Sequence, residues 1–168
     1  MANTFTLIAS STVGAGGAAS FDFTSIPSTF TDLCIKLSVR SNRGTTGDWI
    51  NISYNGSTSS FTTKYIEGSG AAASSGNDTR YIADIDANNS TASTFASTEL
   101  YIPNYGGAAY KSMSADSVQE QNGTTAYQSI VANLWSNTAA INQITLTCGA
   151  GTAFVQYSTA YLYGVKNA

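Results

Sequence analysis

Hydrophobic and polar residues alternate with a period of two along most of this chain. In DLCIKLSVR (residues 32–40), aliphatic side chains occupy every second position. The segment DWINISYNG (residues 48–56) repeats the pattern and ends in an Asn-Gly pair, which favours a tight hairpin turn. Such alternation is typical of strands that bury one face in an antiparallel sheet. It recurs toward the C-terminus in NQITLTCG (residues 142–149) and STAYLYGV (residues 158–165).

Weaker alternation predicts further strands, which clusters of Gly, Ser, Asn or Thr separate. These weaker strands span residues 6–12, 20–24, 61–67, 80–86, 98–102, 111–117 and 127–135. About ten short strands at this spacing predict an all-β sandwich or barrel. The pattern allows a helical turn only at residues 114–120, and GSGAAASSG (residues 68–76) is predicted to be a flexible loop.

The chain is predicted to fold as one domain behind a short leader. Residues 1–19 are expected to form an extended N-terminal leader with the first strand, and residues 20–168 a single β-sandwich domain. A chain of 168 residues can bury a core without disulfides or a metal. Its sheet edges need cover, which two facing sheets in a jelly roll or pairing with neighbouring copies would supply.

Charged residues are scarce in this sequence. Asp, Glu, Lys and Arg make up 10% of the chain, where about 25% is ordinary, and the net charge is −3. The basic residues are scattered from Lys36 to Lys166, so we do not expect a nucleic-acid partner. A polar but weakly charged surface suits dense assembly of copies, although a β-rich extracellular domain would share it.

The N-terminal sequence and the cysteines indicate the cellular compartment in which the chain is made. MANTFTLIASSTVGAGGAAS has neither the basic nor the apolar region of a signal peptide. No apolar run approaches the roughly 20 residues of a membrane span, so no membrane partner is expected. We expect synthesis in the cytoplasm and buried, unbridged thiols at Cys34 and Cys148.

Catalytic and metal-binding chemistry has few candidates. The chain contains no histidine, which excludes Ser-His-Asp and Cys-His arrangements and most zinc sites. Paired carboxylates of the glycosidase type remain open, but no spacing marks a pair. Asp84 and Asp86 form the tightest acidic cluster, either as a Ca²⁺ site with Asn88 or Asn89 or as a solvated strand end. We expect no enzyme activity and assign no catalytic, metal or cofactor-binding residue.

The segment STELYIPNYGG (residues 97–107) reads as a strand that is interrupted at a proline. Pro103 removes a ladder donor, and the residues after it supply turn chemistry. Tyr101 and Tyr105 become anchors, either in the core or in a subunit contact. The candidate interface set is Trp49, Tyr101, Pro103, Asn104, Tyr105 and Trp135. A stacking platform for a sugar, drawn from Trp49, Tyr101, Tyr105, Tyr110, Tyr127 and Trp135, is the alternative.

Four segments, spread over nearly the whole chain, together carry a resemblance to known proteins. They are FDFTSIPSTFTDLCIKLSVRS (residues 21–41), STFASTELYIPNYGG (residues 93–107), ANLWSNTAAINQITLTCG (residues 132–149) and STAYLYGVKNA (residues 158–168). Residues 26–33 and 101–105 are the most specific parts. Together these segments resemble small virion structural proteins of tailed bacteriophages, especially phages of aquatic bacteria and cyanobacteria.

This resemblance implies an antiparallel, jelly-roll-like β-sandwich that forms a homotrimer on the particle. It implies a capsid cement or decoration protein that binds the major capsid protein on the capsid exterior and stabilises the shell. The alternative is a head or tail fibre, or receptor-binding protein, that contacts host surface glycans. The sequence has no long coiled-coil or β-helical shaft, which favours the cement role. Residues 2–20 would then be able to pair with a neighbouring subunit as an added strand.

Overall fold

The computed structural model describes residues 4–124 and 126–166. Over these ranges the chain forms two antiparallel sheets and no helix, and hence no helix that could cross a membrane. The predicted all-β, jelly-roll-like sandwich is confirmed, with strands β1 to β12 in place of about ten. Formation of a trimer stays a prediction.

The strands follow one another along the chain with turns and loops between them. They are β1 (Phe5–Thr12), β2 (Ser20–Phe23), β3 (Asp32–Val39), β4 (Gly47–Tyr54), β5 (Phe61–Gly68), β6 (Ala73–Asp78), β7 (Tyr81–Asp86), β8 (Ala96–Ile102), β9 (Lys111–Gln119), β10 (Tyr127–Trp135), β11 (Ile144–Cys148) and β12 (Thr159–Val165).

The two sheets differ in width. The larger sheet has eight strands in the order β1-β12-β3-β8-β9-β10-β5-β6, and the smaller has four in the order β2-β11-β4-β7. The edge strand β7 packs across the interior against β8, β9 and β10. On β5, Phe61 and Thr63 are buried, whereas Tyr65 and Glu67 further along the same face are only half-buried. The smaller sheet therefore leaves one end of the larger sheet partly uncovered.

Strand β9 shows how the alternation produces the core. Every second side chain from Lys111 to Gln119 is buried, and those between them are exposed. The helical turn predicted at residues 114–120 is wrong, because the period of two continues to the end of this strand. Its buried positions include Ala115 and Ser117, which are too small or too polar to mark the period clearly in the sequence.

Strand β6 lies where the sequence predicted a flexible loop. The prediction for residues 68–76 is wrong in its second half, since Ala73–Asp78 pairs with β5 as an edge strand. Nearly all of β6 is exposed, and backbone hydrogen bonds rather than apolar packing hold it. Gly76 allows close approach, because a Cβ there would collide with the ring of Tyr65 on the neighbouring strand.

The first strand belongs to the sandwich. β1, which the sequence pattern places in the N-terminal leader, pairs along its length with β12 of the same chain, with a bulge between Leu7 and Ala9. It forms one edge of the larger sheet. Because β1 is the last strand in this sheet, its second backbone edge has no partner strand among the described residues and is open to a further strand. Its side chains Phe5 and Leu7 are half-exposed.

An aromatic cluster fills one end of the core. The rings of Tyr54 and Trp135 meet edge to face at 5.4 Å, and the rings of Phe61 and Trp135 stack at 6.0 Å. Tyr54 and Trp135 are almost completely buried. Aromatic pairs in such arrangements contribute about 0.5–1.5 kcal/mol beyond the burial of their area.

A buried arginine, Arg40, lies at the end of the sandwich opposite to the aromatic cluster. The guanidinium of Arg40 donates to the carbonyl oxygens of Asn88, Ser90, Thr91 and Thr94 at 2.8–3.2 Å. These carbonyls belong to the loop that connects β7 of the smaller sheet to β8 of the larger sheet. The hydrogen bonds from Arg40 therefore hold the connection between the two sheets in place. A single side chain thus satisfies backbone acceptors that would otherwise be desolvated without a donor.

Both cysteines are buried and unbridged, as predicted. Burial raises the pKa of Cys34 to about 11, and the charge of Glu99 adds to this effect. Burial raises the pKa of Cys148 to about 12, to which the charge of Asp48 contributes. Both side chains are therefore thiols, not reactive thiolates, at neutral pH.

Truncation of the aromatic cluster tests the core. Trp135→Ala removes a side chain that is 1% exposed, and we expect a loss of about 3–5 kcal/mol in the free energy of unfolding. Tyr157→Ala, at an aromatic residue that is 69% exposed, is the matched control and should change it by less than about 0.5 kcal/mol. Urea unfolding followed by far-UV circular dichroism measures both. Equal losses would contradict the assignment of Trp135 to the core.

Thiol reactivity tests the burial of the cysteines. At pH 8 the native protein should react with a disulfide reagent at least about a hundredfold more slowly than the protein in urea, because both thiols are shielded and protonated. Absorbance of the released thiolate measures the rate. Rapid labelling of one cysteine in the native state would show that its strand is misplaced.

Candidate functional site

The corner that follows Pro103 is anchored inside the molecule. The carboxylate of Asp32 accepts hydrogen bonds from the Tyr101 hydroxyl at 2.5 Å and from the Asn104 backbone N–H at 2.8 Å. Asn104 has a φ of 49°, in the left-handed region that asparagine tolerates better than most residues. These hydrogen bonds hold the corner in place from within the same chain, while Pro103 and Asn104 themselves are exposed.

A buried lysine secures the loop after this corner. Lys111 is 1% exposed, and its ammonium donates to the carbonyl oxygens of Gly107, Ala109 and Thr138. Burial lowers the pKa of Lys111. The three donors of the ammonium match three backbone acceptors, so this cation has a structural role and is not available to a ligand.

The interface prediction is wrong for Tyr105 and Trp135. Each is 1% exposed within the single chain, so neither side chain can contact a partner. The Tyr105 hydroxyl donates to the carbonyl of Pro27, and its own carbonyl accepts from the Ile141 N–H at 3.0 Å. Large aromatic side chains contribute most when they are buried, and the alternating pattern alone does not separate core from interface.

The other four predicted interface residues remain at the surface but do not form one patch. Pro103 and Asn104 are exposed at the corner, and Tyr101 is half-buried on the outer face of the larger sheet. Trp49 is half-buried on β4 of the smaller sheet and lines a groove between the sheets. Their contact with a partner stays a prediction.

The outer face of the larger sheet is a broad and nearly neutral surface. Its exposed side chains on the central strands include Lys36, Ser38, Thr62, Lys64, Ile66, Ser97, Glu99, Ser112, Ser114, Asp116, Val118, Gln128, Ile130 and Ala132. Lys36 and Glu99 form an ion pair at 2.6 Å, and the hydrogen bond raises the pKa of Lys36. Such an exposed pair contributes little to stability, and it also cancels charge on this face.

An apolar pair lies on this outer face near the β6 edge. Ile66 on β5 is directly opposite Ile130 on β10, and these side chains are 57% and 54% exposed. Val118, which is 40% exposed, lies on the next strand. The two isoleucines and the neighbouring Ser75 and Gln128 line a depression of about 700 Å³. Exposed aliphatic side chains grouped in this way are typical of contact surfaces.

A groove lies on the opposite, inner side of the same end of the sheet. It runs between β7 of the smaller sheet and the uncovered part of β5 and β6. One compartment of about 230 Å³, called the inner compartment, is lined by Trp49, Tyr65, Glu67, Asp78, Tyr81 and Asp84. A second, larger compartment of about 360 Å³, called the outer compartment, shares Trp49, Glu67 and Asp84 and adds, among others, Arg43, Gln119 and Tyr127. Aromatic rings and carboxylates thus line the same groove. We call it the inner groove.

The carboxylates of the inner groove are held by groups of the protein. Glu67 accepts a hydrogen bond from the Ser74 hydroxyl at 2.7 Å. Asp84 accepts one from the Tyr81 hydroxyl at 2.7 Å, and that hydroxyl is also 3.1 Å from the Ser129 hydroxyl. These bonds fix the carboxylates in position as hydrogen-bond acceptors.

Burial governs protonation in this network. Burial raises the pKa of Asp84, while the hydrogen bond from Tyr81 opposes the shift and the charge of Glu67 adds to it. Burial and the charge of Asp84 raise the pKa of Tyr81, so its hydroxyl remains a donor. The tyrosine therefore supports the carboxylate without competing for its proton.

Trp49 is the aromatic residue common to both compartments. The guanidinium of Arg43 lies 5.2 Å from the centre of its ring, and Arg43 also donates to the carbonyl of Gly47 at 3.1 Å. A Cβ at Gly149 would collide with the indole, which shows how closely the ring packs on that backbone. Trp49 is thus fixed in place as part of the wall.

A buried oxygen atom at the inner groove, Oε1 of Gln119, lacks a hydrogen-bond donor among the described residues, and Gln119 is 1% exposed. Thr98 Oγ1, Asn133 Oδ1 and Trp135 Nε1, whose residues line neither compartment, are likewise buried without a partner in that part of the chain. Gln119 uses its amide hydrogens on the carbonyl of Thr46 at 2.9 Å and on Asp86 Oδ1 at 3.3 Å. Buried acceptors without a donor are uncommon and costly in folded proteins.

The structure does not assemble a Ca²⁺ site at Asp84 and Asp86. In residues 4–124 and 126–166, no group of three or more Cys, Asp or Glu side chains is placed to hold a metal ion. Asp84 is engaged by Tyr81, and the carbonyl of Asn88 accepts from Arg40. Asn89 donates its side-chain amide to the carbonyl of Gly44. Asp86 is buried instead of forming a solvated strand end.

Sequence reasoning identified Trp49 and Asp84 but not the groove that joins them. Tyr65 and Glu67 share one face of β5 because they are two residues apart, a signal that was present in the sequence. Their meeting with Asp84, Arg43 and Gln119 depends on how the two sheets overlap. No local pattern encodes that overlap.

Comparisons with known proteins show a weak similarity in fold. The chain matches no protein-family model and no curated protein. Among solved structures it is similar to the galectin LEC-6 of Caenorhabditis elegans, with 10% sequence identity over 95% of each chain and a TM-score of 0.28. Superposition at this level does not bear on the ligand or function of the chain.

Replacement of Asp84 tests the environment of the groove. Because burial raises the pKa of Asp84 above its ordinary 3.8, the folded protein binds this proton more tightly than the unfolded chain does. Ionisation of Asp84 therefore costs stability as the pH rises from about 4 through the folded-state pKa. We expect Asp84→Asn, which can still accept from Tyr81, to be more stable than the parent at pH 7 and to lose this advantage at pH 4.

Thermal unfolding at both pH values measures the effect. The control is Asp116→Asn, an exposed change on the outer face, which should alter stability by less than about 0.5 kcal/mol at either pH. A less stable Asp84→Asn at pH 7 would show that hydrogen bonds to the ionised carboxylate outweigh its burial.

Proposed function

We propose that this protein is a non-enzymatic structural component of a tailed-bacteriophage particle, most simply a capsid cement or decoration protein. In this role it binds the major capsid protein on the capsid exterior as a homotrimer and stabilises the shell through contacts between subunits. The observation that carries the proposal is the outer face of the larger sheet, a broad, nearly neutral surface with an apolar centre.

The chemistry of this face supports docking to a protein surface. Ile66 and Ile130 are adjacent and more than half exposed, so covering them recovers hydrophobic free energy. The hydroxyl and amide groups around them are able to pair with a partner at little desolvation cost when compared with charges. An apolar centre with a polar rim is the usual anatomy of a protein interface.

Weak charge also supports a role in dense assembly. The few charges on the outer face offset one another, as Lys36 does with Glu99. Neighbouring copies at a net charge of −3 each therefore repel one another little at physiological ionic strength. Many copies are able to occupy adjacent positions on a shell under these conditions.

Attachment to host glycans is the second candidate function. The inner groove favours it, because aromatic rings and carboxylates line the same walls. The two roles are compatible in geometry, since Ile66 and Glu67 are consecutive residues of β5 and point to opposite faces of the sheet.

Charge placed at the apolar centre tests the docking face. Ile66→Asp with Ile130→Asp should reduce occupancy on particles by at least about tenfold, because two carboxylates would be buried without partners. Both positions are exposed, so the variant should fold normally, which circular dichroism verifies. Stained gels of purified particles, with the major capsid protein as reference, measure occupancy.

Ser38→Asp with Ser97→Asp is the matched control, because these exposed residues pair with each other elsewhere on the outer face. It should retain occupancy if docking centres on the isoleucines. The parent protein should be present in hundreds of copies per particle. In solution, light scattering should give a molar mass three times the 17.5 kDa of one chain. A few copies per particle, or full occupancy of the double Ile variant, would contradict the proposal.

A further inference from the structure

We infer that the inner groove is a binding site for a neutral saccharide, which it holds without cleaving. The inference rests on the walls of the groove, its acceptors and its charge, and not on the docking proposed for the outer face. It rests on the second candidate function proposed above, glycan attachment at this groove, and specifies which class of saccharide the site takes.

The walls supply the apolar part of such a site. Trp49, Tyr65 and Tyr81 line the inner compartment, and the rings of Tyr65 and Tyr81 lie 4.9 Å apart. Contacts with Gly76 and Gly149 fix Tyr65 and Trp49 in place before any ligand binds. Rigid aromatic surface suits the C–H faces of sugar rings, because binding then orders few side chains.

The inner compartment of the groove is rich in acceptors, because three of its six lining residues carry carboxylates. Glu67 and Asp84 each carry a carboxylate whose position is set by a hydrogen bond from Ser74 or Tyr81. A ligand that complements them must bring several donors at once. Sugar hydroxyls do so while leaving an apolar ring face for the aromatic walls.

The buried amide of Gln119 is an independent observation that points to a ligand. It lines the larger compartment, is 1% exposed, and its Oε1 has no donor among the described residues. A ligand hydroxyl that reaches this end of the groove would supply the missing hydrogen bond.

Charge and size narrow the class of ligand. Glu67, Asp78 and Asp84 line the inner compartment with no cationic residue, and Arg43 of the outer compartment is already stacked on Trp49. Uronic and sialic acids are therefore disfavoured by repulsion. The outer compartment, at about 360 Å³, falls within the roughly 300–1,000 Å³ of small-molecule sites.

Glycan-array binding and tryptophan fluorescence test the inference with the full chain. The array should retain the protein on neutral oligosaccharides and not on their sialylated or uronic counterparts. Titration of the best neutral oligosaccharide should reduce acrylamide quenching of Trp49, while the buried Trp135 serves as an internal reference. Trp49→Phe should lose this fluorescence response.

Matched variants separate the groove from the rest of the molecule. Glu67→Gln keeps the shape of the side chain but weakens its acceptors, so affinity for the neutral oligosaccharide should fall about tenfold. Glu99→Gln, on the opposite face of the larger sheet, should leave it unchanged. Both variants leave Ile66 and Ile130 of the outer face intact, so occupancy on particles should not change. Failure of saccharide binding can therefore be told apart from failure of the docking proposal.

Three outcomes would overturn the inference. The first is the absence of any neutral glycan signal on the array. The second is protection of Trp49 by spermidine or CaCl₂ alone, which would make the groove a cation site. The third is release of reducing ends from the bound oligosaccharide, which would make Glu67 and Asp84 a hydrolytic pair.

Discussion

Burial of one strand face between two sheets is the interaction on which the rest of this structure depends. Each buried aliphatic or aromatic side chain of the core contributes about 1.5–3 kcal/mol, which is large beside the few tenths that an exposed ion pair adds. The opposing sheets are unequal, however, with eight strands against four. Burial is therefore complete around β3, β8 and β9 and incomplete beyond β7. The uncovered end of the larger sheet exists because the smaller sheet ends there.

Buried polar groups are paired to different degrees in this structure. Arg40 and Lys111 are buried, and each donates to several backbone carbonyls. Within the described ranges, other buried polar atoms lack a hydrogen-bond partner, among them Gln119 Oε1 at the inner groove and Thr98 Oγ1 and Trp135 Nε1 in the covered core. Incomplete pairing is thus not confined to the uncovered end, and what distinguishes Gln119 is that its side chain lines the inner groove.

Much of the fold followed from local pattern. The alternation in β3, β4 and β10 predicted these strands within a residue or two, because each buries apolar side chains on one face. β6 escaped prediction because its small, exposed residues are held only by the ladder with β5. The end of β9 escaped because its buried positions include Ser117 and Gln119. The groove could not be predicted, since Glu67 and Asp84 meet only through the overlap of the two sheets.

The two sides of β5 link the structure to its proposed roles. Ile66 points outward to the docking face, and Glu67 points inward to the groove, so attachment on one side leaves the other accessible. A cryo-EM map of the whole particle tests this arrangement most directly. We predict density for the sandwich on the capsid exterior, with Ile66 and Ile130 against the shell and the inner groove open to solvent. A particle without this protein, or one in which the groove is buried against the shell, would contradict the account.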